Sequence, residues 1–184
     1  MSMKIVIVES NGIWLHFFES NSLVAYVPLR DVRHCIWQLS NALIGVFRTG
    51  SHGSPVPEQG IEFCHQGYGA LWLSYDIPLG SDARLVFRDY AMRSVAGWHD
   101  GRARYRVVHR ATATPRELAD MFHLMLRVLA RSRMADIMDT DSLLLNRIAE
   151  ALRIYETEVG AIGNGRHQQQ TFPESRTGAI LIPE

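Results

Sequence analysis

Five arginines carry the most distinctive chemistry in this chain. Arg102, Arg104 and Arg106 recur at every second position, and Arg84 and Arg88 lie four apart in an earlier extended run. Alternate residues of a strand share one face, so pairing of the two runs would crowd five guanidinium groups onto one sheet surface. Each guanidinium presents a planar fork of donors that suits carboxylate or phosphate. Trp72 falls on the same outer face and would add an aromatic anchor of the kind found at interface centres. The implied chemistry is recognition of an acidic surface. A plainer reading, favoured by how common cross-strand charge pairing is, has Glu19, Glu62 and Asp76 neutralise the ladder as ordinary surface pairs.

The other reactive residue types are less well arranged. His34-Cys35 and Cys64-His65 supply four potential zinc ligands, but strand neighbours point to opposite faces and the spacing matches no finger or ribbon. A Cys nucleophile has no third group to orient a His base, so buried structural Cys is the better reading. Trp98-His99-Asp100-Gly101 reads as a turn between the two Arg-bearing strands. His109 falls by parity on the apolar side with Tyr105 and Val107, as a hydrogen-bonded core residue. No glycine-rich segment has phosphate-loop spacing after a strand. No metal, cofactor or catalytic set is implied, and no motif carries a family resemblance.

Composition narrows the partner. The 184 residues contain 47% hydrophobic and 21% charged residues, which suits one globular domain with a tail. No apolar run reaches membrane-spanning length, the start of the chain does not read as a signal peptide, and two cysteines make no disulfide framework. A cytoplasmic location is expected. Arginine outnumbers lysine 18 to one, a bias that codon usage in a GC-rich genome explains without function. Net charge is zero yet segregated: residues 84–133 carry seven excess positive charges, against three excess negative before them and four after. Zero net charge favours a protein partner over nucleic acid, which usually meets a basic domain.

The elements that would position these residues follow from periodicity. Residues 4–9, 13–19 and 23–27 read as an antiparallel meander, with Asn11-Gly12 a hairpin signal. Residues 29–47 have helical period, and 48–60, rich in Gly, Pro and Ser, read as an exposed loop. Residues 61–66, 70–77, 83–90 and 102–112 alternate as strands with one face apolar. Thr114-Pro115-Arg116-Glu117 is a capping box with proline at the first helical position. Leu118, Met121, Phe122, Met125, Leu126 and Leu129 follow at helical spacing. A last helix is expected over 142–159, capped by Thr140 or Asp141 and ended by Gly160. Residues 161–184 read as a flexible tail, whose Ala179-Ile180-Leu181-Ile182 could dock on a sheet edge of its own or another chain and so mediate homo-oligomers.

The expected fold is α+β: a mainly antiparallel sheet of six or seven strands with helices on one face, formed by residues 1–160. The expected function is non-enzymatic binding of a macromolecule, as an inhibitor, immunity-type or accessory protein, through Arg84, Arg88, Arg102, Arg104, Arg106 and Trp72. The alternatives are a nucleic-acid-associated protein using the same face, and an enzyme whose site is scattered through the sequence.

Overall fold

A computed structural model describes residues 3–10, 12–29, 31–50, 54–65, 69–90, 106–138 and 140–166. The fold is α+β, with seven antiparallel strands and three α-helices. The strands divide into two meanders. β1 (Met3–Ser10), β2 (Gly12–Glu19) and β3 (Ser22–Leu29) form the first sheet. β4 (Val56–His65), β5 (Gly69–Ile77), β6 (Ala83–Tyr90) and β7 (Arg106–Ala113) form the second. Between them runs α1 (Val32–Gly45), continued by a π-helical turn over Val46–Gly50. The chain then adds α2 (Pro115–Met138) and α3 (Ser142–Arg166).

Local chemistry explains the turns and caps. Ser20 and Asn21 both take positive φ (49° and 67°), the two-residue geometry whose twist matches a hairpin. Asp31 accepts the N–H of His34 at 3.0 Å and so caps α1. At α2 the capping box is complete: the Glu117 N–H donates to Thr114 Oγ1 (3.1 Å) and the Thr114 N–H to Glu117 Oε2 (2.9 Å). Asp141 Oδ1 receives the Leu144 N–H at 3.0 Å and starts α3. These caps satisfy donors that the first helical turn leaves without partners.

The core joins both sheets to the helices. Ile13, Leu15 and Phe17 of β2 are buried, as are Leu73, Tyr75, Leu85 and Phe87 of the second sheet. The Phe17 ring meets Phe87 at 5.1 Å and Phe63 at 5.7 Å, tying one inner face to the other. α2 lies over this core, with the Phe122 ring edge-on to Tyr75 at 5.1 Å. All six apolar residues expected on its inner stripe, Leu118 to Leu129, are buried. His109 is the hydrogen-bonded residue its position implied: its Nε2 lies 2.9 Å from Glu19 Oε2, linking β7 to β2. Glu19 therefore serves the joint between sheets and not the arginine face.

Three boundaries differ most from the sequence reading. β4 begins at Val56, inside the expected loop, because an edge strand tolerates Pro57 where the register against β5 shifts between Val56 and Gln59. α2 continues to Met138. α3 passes through Gly160 to Arg166, so the helix extends into the segment expected to be tail; a helical glycine costs only about 1 kcal/mol against alanine. The tail beyond residue 166, including Ala179 to Ile182, lies outside the described residues, as do Arg102, Arg104 and Tyr105.

A polar clasp holds α2 to α3. The Tyr155 hydroxyl donates to Asp120 Oδ1 at 2.6 Å, Arg116 Nε meets the same oxygen at 2.8 Å, and the His123 ring stacks on Tyr155 at 3.7 Å. Burial, then the bond to Asp120, pushes the Tyr155 hydroxyl up to about 12. Burial first, then Arg127 and Arg116, hold the His123 pKa below its ordinary 6.5, against the opposing pull of Asp120 and Glu156.

Two outcomes test this packing. Phe122→Ala is expected to cost about 3–5 kcal/mol, read as a lower urea midpoint; an unchanged midpoint would remove Phe122 from the core. The depressed His123 pKa means that the unfolded chain takes up the proton first. The stability tied to His123 is therefore full above pH 6.5 and lost as pH falls through that value towards the folded pKa. The melting temperature of wild type should drop more between pH 7.5 and pH 5 than that of His123→Gln, and equal slopes would refute the assignment.

Candidate docking face

The outer face of the second sheet is built in rows by its register. Glu62, Trp72, Arg88 and Val107 stand side by side across β4 to β7. The next row is Gly60, Ser74, Val86 and Arg110, and beyond it come Asp76, Arg84 and Thr112. Opposite residues of an antiparallel pair share a face, so Trp72, Arg84, Arg88 and Arg110 occupy one surface.

Trp72 is positioned by what Gly60 lacks. An ideal Cβ on Gly60 would sit 2.0 Å from Cζ2 and 2.3 Å from Cε2 of the indole. The ring thus lies against Gly60 of β4, in a space only glycine leaves open. Beneath this surface Ser74 is only 2% exposed, and its hydroxyl accepts a hydrogen bond from Arg88 Nη1. Arg88 also meets Glu58 Oε1 at 3.4 Å. Arg84 grips Asp76 with Nε, 3.0 Å from each carboxylate oxygen, and with Nη2. That hydrogen bond raises the Arg84 pKa further above its ordinary value, so the group stays charged throughout the working range.

The arginine ladder is therefore real in part and rearranged in part. Arg84, Arg88 and Trp72 share a face, as their spacing implies. Arg84 is neutralised by Asp76, as the plainer reading held, while Arg88 takes Glu58 in place of Glu62. Val107 departs from the expectation. The register of β6 against β7 shifts between Phe87 and Arg88, so Phe87 faces His109 but Arg88 faces Val107. One extra residue, Val108, is absorbed there, and a bulge of this kind reverses strand parity beyond it. Val107, expected inside with Leu85 and Phe87, is 37% exposed, and Arg106 takes Asp89 as its register partner. Arg110, which the sequence reading left out, stands exposed in the second row and makes no ion pair among the described residues. Its face could have been read by counting back from the cap at Thr114, because Ala113 and Ala111 are buried.

A second surface went unnoticed in the sequence. The outer face of the first sheet carries Trp14, His16, Phe18 and Tyr26, with Trp14 stacked on Tyr26 at 6.4 Å and His16 edge-on to Tyr26 at 6.2 Å. Tyr26 is 60% exposed, and Val6, Val8 and Leu23 are also exposed. The signal was the lack of any polar parity in residues 13–18, a pattern that otherwise belongs to strands covered on both faces.

Among the described residues no three His, Cys, Asp or Glu side chains converge on a metal position. His34 is engaged with Gln38 at 2.7 Å, and Cys35 is buried. No helix among the described residues is long and apolar enough to cross a membrane. No family model matches the chain, and comparisons with curated proteins and with solved structures returned no match.

The seating of Trp72 is testable as a pair. Gly60→Ala should destabilise by about 1–3 kcal/mol by displacing the indole, whereas the same change in a Trp72→Ala background should cost only a few tenths. A double-mutant cycle in urea measures the coupling, and independent effects would show that the indole does not lie over Gly60.

Proposed function

We propose that this chain is a non-enzymatic binding protein that engages an acidic surface of another protein through the outer face of its second sheet. The observation that carries this reading is Trp72, spread over Gly60 with Arg88 as its cross-strand neighbour, beside an exposed Arg110 without an ion partner among the described residues. Trp and Arg are the side chains that most often dominate interface energetics. Arg88 and Arg84 are held by carboxylates on their own sheet, and such exposed pairs are weak. A partner carboxylate can replace an internal one without leaving a buried charge alone. An inhibitor, immunity-type or accessory role fits such a face.

The test is capture of the partner from the native host by the tagged chain, compared with Arg84→Glu/Arg110→Glu, both at exposed positions. Exposed charges contribute little to stability, so the variant should melt near the wild-type temperature yet recover at least tenfold less partner. Equal recovery at physiological salt would contradict the proposal. Recovery of nucleic acid that is lost steeply with added salt would transfer the face to the nucleic-acid reading.

A further inference from the structure

His34 and Gln38 stand one helical turn apart on α1, where side chains four residues apart are neighbours. Together they tie the helix to the edge of the second sheet. β4 is an edge strand, with β5 its only hydrogen-bonded neighbour among the described strands. The backbone N–H of Glu62 on β4 donates to Gln38 Oε1 at 2.7 Å. The other end of the same amide, Gln38 Nε2, lies 2.7 Å from His34 Nε2. A side chain of α1 thus occupies a backbone donor that an edge strand otherwise leaves to water or to another strand.

The two contacts together fix the protons. An amide oxygen accepts and an amide nitrogen donates. Because Oε1 receives the Glu62 N–H, Gln38 Nε2 is the donor to His34, and the ring nitrogen facing it is the acceptor. That ring is neutral, with its proton on Nδ1. A second proton turns both ring nitrogens into donors and sets an N–H against the amide NH2. Rotating the amide relieves this opposition, but it withdraws Oε1 from Glu62 and turns the NH2 group towards the Glu62 N–H. Held at these positions, the amide can serve the neutral ring and the backbone, or the charged ring, but not both.

From this geometry we infer that His34 and Gln38 form a proton-operated plug on the edge of β4, held in by the neutral ring and withdrawn when the ring takes up a proton. Among the described residues Gln38 is the only hydrogen-bonding partner of the ring. The charged neighbours on α1 are otherwise engaged. The Asp31 carboxylate receives the His34 backbone N–H at 3.0 Å, and Arg33 turns to Thr140 and Asp141 between α2 and α3. On β4, Glu58 meets Arg88, and Glu62 is the residue whose N–H is plugged. Glu62 is also the register partner of Trp72, so withdrawal opens the edge at the end of the row that carries the indole. The inference requires nothing of what the Trp72 face binds.

Amide exchange of the full chain, corrected for the intrinsic effect of pH on exchange, tests the plug between pH 8 and pH 5, where imidazoles take up a proton. Protection of the Glu62 amide should fall severalfold relative to that of Leu73 inside the sheet. In His34→Phe, at an exposed position, it should no longer depend on pH, and in Gln38→Leu it should be low at both values. Nitrogen NMR of the wild type supplies a reading that needs no variant: at pH 8 His34 Nε2 should carry no proton. A proton on that nitrogen in the neutral ring would overturn the inference. So would Glu62 protection that ignores pH in the wild type, a pH dependence that survives His34→Phe, or protection left intact by Gln38→Leu.

Discussion

Two separate meanders become one core because the ring of Phe17 on β2 packs between Phe87 and Phe63 of the second sheet, at 5.1 and 5.7 Å. Aromatic pairs at this separation add about 0.5–1.5 kcal/mol each beyond the area they bury. Their larger effect is architectural. The contact turns the inner face of each sheet towards the other and towards α2, with Tyr75 and Phe122 extending the same cluster. Glu19 and His109 close its polar margin. Once both inner faces are used in this way, the two outer faces are left for solvent or for partners.

Those outer faces differ in kind, and the difference follows from sequence. On the second sheet, glycine at position 60 lets an indole pack against the strand, and arginines stand with carboxylates along the rows beside it. Its described charges balance locally, so the face is suited to exchanging one set of carboxylates for another. On the first sheet both parities of β2 are apolar or aromatic, and the exposed parity has no charge beyond Lys4 at one corner, which reaches Asn21 Oδ1 at 3.4 Å. A surface of that composition is more costly to leave in water, and apolar patches of this sort mark interaction sites on soluble proteins.

Much of the fold was legible in the residues because local and tertiary preferences agree. The capping box at Thr114 fixes where α2 begins, and its apolar spacing then names the buried stripe without error. The hairpin at Ser20-Asn21 and the cap at Asp141 are equally local. What could not be read was set by pairing. The bulge at Val108 arises where β7 must present His109 to Glu19 while Val107 meets Arg88, and one inserted residue turns Val107 to the outer face. Parity puts Arg110 on the outer face whether counted from Arg102 or back from Thr114, and it fails at Val107, on the far side of the bulge. Gly60 and Pro57 read as loop residues, because only the indole of Trp72 and the edge position of β4 give them a place in a strand. That the strands form two sheets, not one, rests on α1 intervening between β3 and β4, a consequence of packing that periodicity does not encode.

The central claim is that recognition belongs to the Trp72 face, and hydroxyl-radical footprinting of the chain alone and in complex with its captured partner measures this directly. Trp72 is partly exposed in the isolated chain, so its oxidation rate should fall severalfold in the complex, while Tyr26 on the opposite sheet keeps its rate. If Trp72 is oxidised equally in both states and Tyr26 becomes protected, the binding surface is the aromatic face of the first sheet and the account given for the second is wrong.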